Sequence, residues 1–175
     1  MGKKAKNILL LLVSTVFALT IYILLHELGH LIVMVSAGAT INDFSIVTAH
    51  VSATGGEYTN LSSLWLNVNG ALFPVFLACI YMLFYKSNNE NSFYRIFSYM
   101  ITLIPTASMF AWLIIPFIFI GGNAPINDDV TKFLYIFSHD FHPLIVSAVA
   151  AMIIGTSVVL MIKKRIIHNF IAEVR

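Results

Sequence analysis

The sequence predicts an all-α polytopic membrane protein of about four transmembrane helices, with a candidate short β-hairpin between the first and the second. Three observations predict it. Of 175 residues 59% are hydrophobic and only 10% charged, whereas a soluble domain carries about 25% charged residues. The apolar residues gather into four runs, each close to or above the roughly 20 residues that a bilayer crossing needs. All but one of the basic residues collect in the ends and connections of one side. Little chain is left for anything else, so residues 1–175 read as a single integral membrane domain. One cysteine, Cys79, excludes a disulfide framework and a cysteine-rich metal cluster.

The first span covers about residues 8–36, with Gly38 as its stop signal. A signal peptide is the competing reading of "MGKKAKN" and the apolar run after it. The run is too long for a signal core, and the Ala37-Gly38-Ala39 cleavage pattern lies beyond its polar residues, so the segment is expected to stay. The connection that follows, "GATINDFSIVTAHVSATGGEYTN", is rich in Thr, Val, Ile and Ser and carries Gly55-Gly56. It reads as one or two short strands. The second span is expected over about 64–85, the third over about 96–120 and the fourth over about 144–162. Pro105 and Pro116 should kink or locally open the third, which membrane helices tolerate when neighbours satisfy the freed carbonyls.

Orientation follows from charge. Lys3, Lys4, Lys6, Lys86, Arg95, Lys163, Lys164, Arg165 and Arg175 share one side, against Lys132 alone on the other. The positive-inside rule then makes both termini cytoplasmic. The net charge of +2 forms no basic patch, so the lipid bilayer is the expected environment and no nucleic acid is a partner. A prokaryotic plasma membrane is the expected location.

The first span contains "HELGH", His26 to His30, where ionisable residues are costly and point to function. Residues four apart share a helix face, so His26 and His30 can direct both imidazoles at one ion. Zinc suits two nitrogens, a carboxylate and an open water position. Glu27 is placed to take a proton from that water as it attacks a carbonyl. Helix rise puts His26 about 27 Å beyond Ile8, toward the outer surface, so a third ligand should come from the outer side. There "INDDVTKF" offers Asp128 and Asp129, with His50, His139 and His142 as substitutes; the competing role for the aspartates is a cap on a helix over 130–137. In the second span Asn67, Asn69 and Gly70 interrupt apolar sequence. The asparagines are candidate substrate-binding amides, or else they join helices by hydrogen bonds while Gly70 permits close packing. His26-xxx-His30 with His139-xx-His142 loosely resembles the histidine boxes of di-metal oxygenases, but no adjacent histidine pair completes them.

These residues resemble the site-2 protease family of membrane-embedded zinc metalloproteases, above all its small minimal members. The resemblance rests on HELGH, on "NGALFP" in the second span and on "INDDVTKF" after the third. It implies zinc held by His26, His30 and Asp128, with Glu27 as general base and a membrane-associated hairpin matching about residues 40–53. It implies hydrolysis of a membrane or membrane-proximal protein or peptide substrate. The chain departs from the family where Asp129, not glycine, follows Asp128, and where Ala71 follows Gly70. Well-known members also cut near the cytoplasmic side, whereas the charge pattern here sets the site nearer the outer face. A non-catalytic membrane protein that retains the metal-binding fold and binds a partner or lipid is the alternative.

Overall fold

A computed structural model describes residues 2–175, the side chain of Lys3 excepted. The elements in chain order are α1 (Lys3–Ser36), β1 (Ala39–Ser45), β2 (His50–Gly55), α2 (Asn60–Phe84), α3 (Ser92–Ile120), α4 (Asp129–Phe137), α5 (Leu144–Lys163) and α6 (Ile166–Val174). Four of the helices (α1, α2, α3 and α5) are long and apolar enough to cross a membrane. The protein is thus an all-α membrane protein with one small hairpin.

Helix starts lie at polar caps ahead of the apolar runs. Thr59 accepts from Ser62 N–H at the start of α2, and Asn91 accepts from Tyr94 N–H at the start of α3. Both helices therefore begin four residues before the apolar stretch alone predicts. Along α1, side chains such as Ile8, Leu12, Val16 and Phe17 remain outside the bundle, as expected for a face turned to lipid. α3 stays helical through Pro105 and Pro116, and Ser147 of α5 donates to the Leu113 carbonyl at 2.9 Å, beside the carbonyl that Pro116 frees.

One core gathers Ala71 and Val75 of α2, Met109, Trp112 and Ile115 of α3, Val130 and Leu134 of α4, and Val146 and Ala150 of α5. It fixes the short helix α4 against the spans. The opposite end is closed by α6, which the sequence did not lead us to expect. Arg165, at φ +61°, turns the chain into it. Glu173 then accepts from Ser92 Oγ at 2.7 Å and pairs with Arg95, while Asn169 donates to the Tyr85 hydroxyl and the Ser87 carbonyl.

β1 and β2 pair antiparallel from Ala39↔Gly55 to Ser45↔His50, with an irregularity between Ile41 and Asp43. The connection between the strands is residues 46–49. Gly55 and Gly56, at φ +72° and +83°, take the chain out of the hairpin and do not form its tip.

Candidate metal centre

His26 and His30 lie one turn apart on α1, and the third group comes from α4. The three ligand-capable atoms form a near-equilateral triangle. His26 Nε2 and His30 Nε2 are 3.1 Å apart, and Asp129 Oδ2 lies 3.4 Å from the first and 3.2 Å from the second. A tetrahedral ion with ligand bonds of about 2.0–2.1 Å separates neighbouring ligand atoms by about 3.3 Å. The triangle has the size of one face of such a site.

The aspartate is Asp129. Asp128, the expected third ligand, instead caps α4 by accepting from Val130 N–H at 2.9 Å. Asp128 has the extended backbone of a cap residue, and Asp129 opens the first turn with Oδ2 toward the two histidines of α1. Lys132, one turn on, approaches the other Asp129 oxygen, Oδ1, at 3.9 Å.

Ring protons decide what the triangle can hold. His30 Nδ1 donates to the Leu66 carbonyl at 2.7 Å, a partner of the kind that orients metal-bound histidines. In the neutral ring this leaves Nε2 with a lone pair aimed at the Asp129 carboxylate. Two lone pairs 3.2 Å apart repel unless a cation, metal ion or extra proton, lies between them. The His26 Nδ1 atom is buried without a hydrogen-bond partner. The donor set of two imidazoles and one carboxylate fits a metal ion.

Close packing of α1 on α2 brings the rings into place. A Cβ on Gly29 would lie 2.8 Å from the Asn69 carbonyl carbon, and a Cβ on Gly70 would lie 2.5 Å from His30 Nε2 and 2.9 Å from His26 Cε1. Each glycine leaves the space that the other helix fills. Asn69 Nδ2 donates to the Gly29 carbonyl at 2.7 Å, so its amide joins the two helices. Asn67 Nδ2 donates back to Ser63 O at 2.8 Å, and Asn67 lines the cavity at the site.

A polar cavity of about 380 Å³ opens on the triangle. Its lining includes Glu27 from α1, Leu66 and Asn67 from α2, Ala49, His50 and Val51 from the hairpin, and Asn127, Asp129 and Lys132 at α4. Glu27 is 4% exposed, and among the described residues nothing hydrogen-bonds its carboxylate. His139 and His142, in the turn before α5, are not part of this cavity. Sequence reading gave His50 only as a substitute ligand, and Lys132 only as an outer charge. A larger groove of about 550 Å³ between α2 and α5 is lined by apolar groups such as Leu72, Phe76 and Met152 and contains no His, Asp or Glu. It faces where lipid would lie.

Asp129, on α4, lies outside the four long apolar helices. Burial pushes its carboxyl up, but hydrogen bonds from His26 and His30 outweigh this and hold it well below the usual carboxylate range. Comparison with protein-family models, curated proteins and solved structures finds no match to this chain.

Proposed function

We propose that this protein is a membrane-embedded zinc metalloprotease of site-2 protease type, which hydrolyses peptide bonds of a membrane or membrane-proximal protein. One observation carries the reading: the two histidines of an H-E-x-x-H helix converge with an aspartate from another helix, beside the buried carboxylate of Glu27. His26, His30 and Asp129 would hold the ion, and nitrogen-rich ligation favours zinc over magnesium or calcium. Zinc, when bound, lowers the pKa of its water toward about 7 and polarises a carbonyl.

The chain's own residues supply the rest. Glu27 takes a proton from the attacking water and passes it to the leaving nitrogen. As the water oxygen bonds to the carbonyl carbon the C–N bond breaks, so one water is consumed and an acid and an amine are released. The Asn67 carbonyl oxygen can accept from a backbone N–H of the substrate. The hairpin has unpaired edges, which suit an extended peptide. The charge distribution supports cytoplasmic termini and a cavity toward the outer face.

The deciding experiment is elemental mass spectrometry on detergent-purified wild type, Asp129→Ala and Glu27→Gln, followed by cleavage of fluorescein-labelled casein. About one zinc per chain in wild type and Glu27→Gln, with cleavage only in wild type, supports the reading. Zinc retained with no hydrolysis favours the non-catalytic alternative. Wild type without zinc, even after zinc is added back, overturns both.

A further inference from the structure

We propose that His50, at the start of β2, is a further catalytic residue, donating a hydrogen bond to the carbonyl oxygen on which negative charge develops during hydrolysis. The inference rests on the hydrolytic reading above and adds a group from a different element. That oxygen needs a preorganised donor besides any cation, and His50, although exposed, is held at the cavity by the hairpin.

The cavity contains few candidates for the donor. Asn67 Nδ2 is committed to Ser63 O, and Asn69 Nδ2 to Gly29 O. Lys132 Nζ lies 3.9 Å from Asp129 Oδ1, a charge contact that leaves it a cationic donor at the cavity. Glu27, as the general base, is an acceptor and so cannot serve. Among neutral side chains His50 and Asn127 remain, both lining the cavity and neither hydrogen-bonded through its side chain among the described residues. Of the two, His50 is the one that directly follows a strained turn residue. Ala49, immediately before it, sits at φ +47°, a conformation that residues with a Cβ rarely hold and that clusters at functional sites. The turn is tied by Thr48 N–H to Ser45 Oγ at 3.2 Å and by Ala49 N–H to the Ile46 carbonyl at 3.4 Å. His50 itself is registered opposite Ser45 as the first pair of the ladder. The hairpin thereby carries an imidazole to the cavity that contains Glu27 of α1 and Asp129 of α4. At about 380 Å³, that cavity has room for a peptide group between hairpin and helix. No proton leaves His50 in this role; the proton balance of hydrolysis stays with Glu27.

The test compares zinc-loaded wild type, His50→Ala, His50→Gln and Asn127→Ala, each first checked for zinc content and thermal unfolding. Two metal-directed probes are titrated by calorimetry: a phosphoramidate dipeptide, which places a tetrahedral anion at the site, and a planar hydroxamate. His50→Ala should weaken the phosphoramidate by about 100-fold and leave the hydroxamate within about threefold. It should also lower kcat on fluorescein-casein by about 10²–10³ with little change in KM. His50→Gln keeps a donor and should recover part of both losses, and Asn127→Ala should change neither. Equal effects of His50→Ala on the two probes, or no effect, overturn the proposal while leaving the metalloprotease reading intact. Zinc loss in both His50 variants would make His50 a ligand and also overturn it. Wild type that binds no zinc removes the parent reading, and this one with it.

Discussion

Gly70 of α2 lies directly beneath His30 of α1, so close that a single added methyl would come within 2.5 Å of His30 Nε2. The contact makes helix packing and metal geometry one constraint. The far atom is an imidazole nitrogen, held by the bond from Nδ1 to Leu66 O, so the ring has little freedom to give way. Gly70→Ala should therefore weaken zinc binding by about 10–100-fold, the range seen when support for metal-bound histidines is lost. Gly155→Ala, where a Cβ meets nothing within 4 Å, serves as the matched control. Chelator competition on the two variants reads the difference, and equal zinc affinities would remove Gly70 from the site.

Asp128 and Asp129 separate into different tasks, which predicts different losses. Asp129→Ala removes one of three ligands and should abolish stoichiometric zinc. Asp128→Ala removes a helix cap and should keep zinc while costing about 0.5–2 kcal/mol of stability. Zinc content with thermal unfolding of both variants decides it; the reverse pattern would assign the ligand to Asp128.

That division shows where the sequence stops being legible. The four spans and the His26-Glu27-His30 face are written in local order, as apolar runs and an i, i+4 spacing, and the fold agrees with both. The aspartate is different. "DD" at 128–129 offers two carboxylates, and resemblance favours the first, but the choice depends on which residue leaves the cap and enters the first turn of α4. A helix frame one residue out sends a side chain roughly 100° around the axis. The role of Asn69 is equally tertiary, since only docking of α2 on α1 puts Gly29 O within its reach. α6 escaped notice because nine residues are too few to read as a span.

Asn69→Ala should act on stability more than on metal. It removes the Asn69 Nδ2 bond to Gly29 O, and interhelical bonds of this kind average about 0.6 kcal/mol in membrane proteins. Zinc stoichiometry should be unchanged, with a small fall in unfolding temperature. If zinc binding is lost while the fold persists, the amide is part of the site and its packing role is secondary.

The metal-free protein should lose stability in acid through Asp129. Its carboxyl is raised by burial but held low overall by bonds from His26 and His30, whereas in the unfolded chain it titrates near the ordinary value of about 3.9. As pH falls through that value the unfolded chain takes up the proton first. The stabilisation is thus fully present above about pH 5 and drains away as pH drops through the unfolded value toward the folded one. Asp129→Asn cannot titrate. In the presence of a chelator the wild type should therefore unfold at a higher temperature than Asp129→Asn near neutral pH, and the gap should close toward about pH 3. Parallel curves for the two proteins across that range would mean that the histidines do not hold the carboxylate without metal.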